Sequence, residues 1–123
     1  MAVANIFNTI GRAQLLPERL FDAYIGVAGS SPAYGFIFIE ALADAGVKYG
    51  LNRADALNFA SQALLGAAEM VLSGGHPGAL KDAVCSPGGT TIAAVAELEA
   101  RGFRHAIIAA ASACVEKSIK MSE

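Results

Sequence analysis

Polar side chains fall at near-helical intervals along most of this sequence, and the residues between them are apolar or small. From Ala33 to Tyr49 the charged positions Glu40, Asp44 and Lys48 recur every fourth residue as one narrow stripe. Phe36, Ile37, Phe38, Ile39 and Leu42 fill the rest of the circumference, so this helix is expected to be buried on most sides. Ser31 followed by Pro32 supplies an N-cap and a proline at the first helical position, and Gly50 ends the helix. Asn52 with Asp55 resembles a capping box and opens a second helix, whose polar positions Asp55, Asn58, Gln62 and Glu69 share a face. That helix runs to Leu72 and stops at Ser73-Gly74-Gly75.

Further along, His76-Pro77 starts a short helix through about Val84, and a loop of Ser86-Pro87-Gly88-Gly89-Thr90-Thr91 follows. Thr90 or Thr91 is expected to cap a helix over Ile92–Arg101 that Gly102 terminates. The last helix, Phe103 to Lys120, carries its charges at the ends, and its middle, Ala106 to Val115, is small enough for close packing in a core or a dimer seam. At the front, Ala2–Ile10 reads as a helix, Arg12–Leu16 as a short strand, and Pro17 opens a helix through Val27. One strand without a partner is marginal, which points to pairing material upstream. The expected fold is all-α, a single domain of about six or seven helices over residues 17–123, with residues 1–16 as the end of a preceding domain. No internal repeat or low-complexity linker interrupts it.

Composition adds an oligomer to this picture. Of 123 residues 54% are hydrophobic and only 16% charged, more apolar surface than a lone chain of this length can hide. The net charge is -2, and Lys and Arg form no run, which argues against nucleic acid as a partner. The uncharged stretch Ala23–Ile39 is interrupted by Gly26, Gly29, Ser30, Ser31 and Pro32, so it reads as two buried helix segments, not a membrane span. Residues 1–5 lack the basic start and apolar run of a secretory signal. A cytoplasmic protein without membrane partners is expected. Cys85 and Cys114 lie far apart and are expected to be free thiols.

Several chemistries can be weighed against these elements. A dinucleotide cradle needs a Gly-x-Gly turn between strand and helix; no two glycines here are spaced i and i+2, and no strand–helix alternation exists. No cofactor-binding residue is therefore assigned within the chain. His76 and His105 are isolated from other metal-ligating side chains, save Asp82 beyond His76, so no metal site is expected. Cys85 has no identifiable partner base and reads as a small buried residue. Glu40, Asp44 and Lys48, and the pair Lys81-Asp82, read as solvated surface.

The loop Ser86–Thr91 differs. Adjacent glycines uncover backbone N–H groups, and the helix that follows presents its positive dipole end, which suits a carboxylate or phosphate. A plain glycine turn with a threonine cap is the alternative. Gly29-Ser30-Ser31-Pro32 reads as a second loop of the same construction.

The segments Asp22-Ala23, Gly29–Tyr34, Glu40–Val47, Gly50-Leu51, His76-Pro77, Leu80-Lys81-Asp82, Ser86–Thr91, Leu98-Glu99 and Gly102-Phe103-Arg104 together resemble the C-terminal helical domain of pyrroline-5-carboxylate reductases, over nearly the whole chain. The resemblance implies the fold of 6-phosphogluconate dehydrogenase C-terminal-like domains, an intertwined homodimer or higher oligomer, and an NAD(P)H-binding domain that this sequence lacks. It implies NAD(P)H-dependent reduction of 1-pyrroline-5-carboxylate to L-proline in proline biosynthesis, with these residues silent on their own. Carried over residue by residue, it assigns the substrate carboxylate to Ser86, Gly88, Gly89, Thr90 and Thr91. Many relatives carry a hydroxyl at the position of Ile25 and serine at that of Ala28; with both absent, Ser30 or ordered water is the expected source of a proton. Two other readings stand beside it: a non-catalytic dimerisation module, and a chain that pairs in trans with a separate nucleotide-binding domain.

Overall fold

The computed structural model describes residues 2–123. Among these residues there are seven α-helices and no strand. They are α1 (Ala2–Phe7), α2 (Phe21–Tyr24), α3 (Ser31–Lys48), α4 (Arg53–Leu72), α5 (Pro77–Val84), α6 (Thr90–Ala100) and α7 (Phe103–Ser122). A 3-10 turn, Glu18–Leu20, leads into α2, and a π-helical turn, Ile25–Gly29, follows it. Residues 12–16, the expected strand, adopt no regular secondary structure; a strand needs a neighbouring strand to pair with, and the described residues contain none.

Several helix ends follow the local chemistry of the sequence. The Asn52 side chain accepts from the Asp55 amide at 2.9 Å and donates to the Asp55 carboxylate at 2.8 Å, a reciprocal cap on α4. Gly74 (φ +104°) ends α4, with Gly74 and Gly75 amides donating to the carbonyls of Val71 and Met70. The expected cap at the start of α3 is absent. The Ser31 hydroxyl points back to the Ala28 carbonyl at 3.4 Å and caps nothing. Ser30 keeps right-handed torsions (φ -98°, ψ -17°), so Gly29–Pro32 is not a loop: the π turn runs almost directly into α3. The extra residue accommodated by a π turn does here what the sequence reading gave to a break. The resulting run, Glu18–Lys48, is long and apolar enough to cross a membrane by length and composition alone.

Two compact units are resolved, Met1–Ser31 with Ala110–Glu123, and Pro32–Ala109. In the first, the π turn meets the end of α7 at very close range. Gly26 is buried there, and a Cβ on it would stand 2.6 Å from Val115 Cγ2 and 2.9 Å from the Ala111 carbonyl oxygen. Beside it the Ser118 hydroxyl donates to the Asp22 carboxylate at 2.6 Å. In the second unit α3 and α4 pack through Ala43, Ala56 and Ala60, with Gly46 admitting Leu51, and Phe38 tilts against Phe103 at 6.2 Å.

Those three alanines are the only buried hydrophobic residues among those described. Contrary to expectation, α3 buries only Ala43, and Phe36 and Ile37 are 69% and 67% exposed, because within one chain its neighbours cover a single side. The middle of α7 is likewise open, with Ile108 63% exposed. The accessible surface is 9498 Å², whereas a folded monomer of 12.6 kDa exposes roughly 6,200 Å². A single copy therefore leaves its apolar helix faces uncovered.

Candidate anion site at the start of helix α6

The sequence from Ser86 to Thr91 forms a tight turn that feeds α6 directly. The Gly89 amide donates to the Ser86 carbonyl at 3.0 Å, closing a four-residue turn with Pro87 and Gly88 at its centre. Proline holds φ near -65°. Gly88 has φ +69°, so the turn is type II, the class that requires a residue like glycine at its third position. Gly89 is glycine for another reason: a Cβ there would lie 3.2 Å from the Ser86 carbonyl oxygen.

This geometry moves the N-cap one residue earlier than the threonines suggest. Gly89, extended at φ -84° and ψ 179°, is the N-cap of α6, and no side chain caps the helix. Thr90 and Thr91 are its first two helical residues. The sequence reading favoured a threonine cap because hydroxyl residues dominate that position, but the Pro87-Gly88 turn has already set the extended backbone at Gly89. The amides of Gly88, Thr90, Thr91 and Ile92 have no acceptor within the described residues. No acidic residue stands in the first turn of α6 to neutralise its dipole. Ile92 is expected from sequence only as the first residue of the helix and not as part of the site; with the cap at Gly89 it takes the third helical position, whose amide is also free.

The expected site residues therefore come together in one turn, with Gly89 and Thr91 half-buried and Ser86, Gly88 and Thr90 exposed. The arrangement offers several N–H donors and no side-chain base, so it can hold an anion but does not by itself move a proton. Ser30, the candidate proton source, lies in the other compact unit, half-buried, with its amide bonded to the Ile25 carbonyl at 2.8 Å. That unit also contains a cleft of about 880 Å³, whose wall includes Asn8, Leu16, Phe21, Tyr24 and Ile25. Its lining is mostly apolar, and Ile25 occupies its wall where a hydroxyl would change its chemistry.

The His76 Nδ1 accepts from the Gly78 and Ala79 amides at 3.2 and 3.4 Å, a helix cap. No group of three potential metal ligands exists among the described residues. Cys85 and Cys114 are free and half-buried. Glu40 is exposed, Asp44 pairs with Arg53 at the surface, and Lys81 meets Asp82 at 3.4 Å in the open.

Comparison with known proteins places these features in context. The profile of the pyrroline-5-carboxylate reductase dimerisation family matches residues 18–121. Pyrroline-5-carboxylate reductase of Escherichia coli is 57% identical over 122 residues, which are 98% of this chain and 45% of that protein. The NADP-bound crystal structure of Plasmodium falciparum pyrroline carboxylate reductase superposes with a TM-score of 0.90 at 38% identity, covering 99% of this chain and 50% of that one. A pyrroline-5-carboxylate reductase structure from Coxiella burnetii gives 0.91 at 32% identity, covering 99% and 46%. The chain thus spans about half the length of the relatives it matches.

Proposed function

Because the chain belongs to the pyrroline-5-carboxylate reductase dimerisation family, we propose that it forms the dimerisation and substrate-side portion of a cytoplasmic enzyme reducing 1-pyrroline-5-carboxylate to L-proline. The observation that carries this reading is the set of free amides at Gly88, Thr90 and Thr91, in a turn that the Pro87-Gly88 pair holds open. The substrate is a five-membered ring with a carboxylate on one carbon and a C=N bond on the other side of the nitrogen. Its carboxylate accepts from those N–H groups, with Ser86 beside them and the helix dipole favouring the negative charge. Anchoring that one group fixes the ring and leaves the imine facing away from the turn.

Reduction adds a hydride to the imine carbon and a proton to the nitrogen. NADPH or NADH supplies the hydride in this reading. The described residues do not fit the dinucleotide itself, since they contain no strand and no Gly-x-Gly turn to cradle a pyrophosphate. What they contribute is substrate orientation. Ser30, on the way from the π turn into α3, is the proposed holder of a proton or of the water that delivers one. We place the boundary of the helical domain at residue 17, next to the start of the family match at residue 18. Residues 1–16 then belong with a preceding domain.

The uncovered helix faces are assigned to a second copy of the chain, in a homodimer. Apolar cover of this extent is typical of permanent interfaces, which bury about 2,000–5,000 Å².

Titration of the 123-residue chain with L-proline, followed by amide NMR, tests the anion site. Shifts confined to Gly88, Thr90, Thr91 and Ile92 are expected, and Thr90→Pro, which removes one donor amide at the first helical position, should weaken binding by about 1 kcal/mol, near fivefold. The exposed apolar faces favour a second reading, a dimerisation module that binds nothing. An unresponsive spectrum at millimolar ligand would establish that reading instead.

A further inference from the structure

The turn at Ser86–Gly89 inherits its position from α5, and α5 has no buried residue of its own to anchor it. Its attachment is made at the opposite end, in the corner after α4. There Gly75 donates to the Met70 carbonyl at 3.1 Å and is approached so closely by Leu80 that a Cβ on it would stand 2.7 Å from Leu80 Cδ1. The next residue, His76, turns its imidazole over the start of α5. Its Nδ1 accepts from the amides of Gly78 and Ala79, which places the ring proton on Nε2, and its ring lies where a Cβ on Gly78 would be 3.1 Å from Cε1. Histidine is not among the preferred N-cap residues, so the ring's size and its fit over Gly78 distinguish this corner from an ordinary cap.

From the cap onward the backbone is hydrogen-bonded almost without a gap. The Leu80 amide donates to the His76 carbonyl, Cys85 to Lys81 and Asp82, Ser86 to Val84, and Gly89 to Ser86. Eight residues of helix, about 12 Å, connect the imidazole to the turn. We infer that His76 is a positioning residue for the carboxylate cradle: its imidazole, seated over Gly78, fixes the direction of α5 and so the aim of the Gly88, Thr90 and Thr91 amides. The inference rests on the proposed function for what the cradle holds, but not for how the cradle is held.

Amide hydrogen exchange on the 123-residue chain tests it without ligand. The Gly89 amide, which closes the turn, should exchange about fivefold faster or more in His76→Ala, while His76→Asn, which keeps an acceptor, should stay within about twofold of the parent. Amides in the middle of α4 serve as the control for global loosening and should not change. Gly78→Ala separates positioning from helix stability. Alanine is the better helix former, so a cap with a purely stabilising role would leave Gly89 equally or better protected, whereas displacement of the imidazole should expose it. Unchanged Gly89 exchange in either His76→Ala or Gly78→Ala overturns the inference. If the chain fails to bind L-proline while Gly89 behaves as stated, the carboxylate assignment falls and the positioning role stands.

Discussion

A methyl group at position 26 has nowhere to go. One of the atoms it would meet is a backbone carbonyl of α7, which cannot rotate aside as the end of a side chain can. Gly26→Ala is therefore expected to destabilise the fold by roughly 1–3 kcal/mol, the range for overpacking, as read from urea or thermal unfolding. Unchanged stability would show that the π turn and α7 separate more easily than their contact suggests. The sequence reading noted Gly26 only as an interruption in an apolar stretch. Nothing local could identify its neighbour, because Ala111 and Val115 lie far along the chain. Gly88 and Gly89 were legible as a pair that uncovers backbone, but their different tasks, a positive φ at one and close approach at the other, emerge only in the folded turn. The same holds for His76: its place before Pro77 announced a helix start, and the use of its imidazole as the cap did not follow from spacing.

Helix ends written in reciprocal side-chain chemistry were the most legible elements. Asn52 and Asp55 meet as their spacing implied, and Asn52→Ala should cost about 1 kcal/mol, measurable as a shift in the chemical unfolding midpoint together with faster exchange of the Asp55 amide. A midpoint that does not move would mean that α4 is fixed by packing and not by its cap. Starts of α3 and α6 were harder to read because each depends on the backbone entering it. Before α3 the π turn delivers Ser30 already in helical conformation, so Ser31 has no extended residue to follow; before α6 the proline–glycine turn makes Gly89 the cap. The segment 12–16 was misread for a related reason. Alternating residues suit a strand, but a strand is a pairing, and pairing cannot be supplied by the segment itself.

At the scale of the whole molecule, the excess of hydrophobic over charged residues was the clearest signal in the composition, and the structure expresses it as uncovered helix faces, with three alanines the only buried hydrophobic residues among those described. The sequence could announce that cover was needed but not which faces would require it, since helical periodicity does not distinguish a neighbour in the same chain from one in another. With a second copy as the cover, folding and association are one event. The thermal midpoint should then rise with protein concentration across the micromolar range, and helical signal should be lost together with dimer mass in sedimentation. A fully helical monomer at high dilution would contradict this. Such sharing changes the meaning of damage. A chain whose apolar faces are completed by its twin passes its defects on to that twin, so an altered copy made alongside an intact one would act dominantly, spoiling mixed pairs as well as its own.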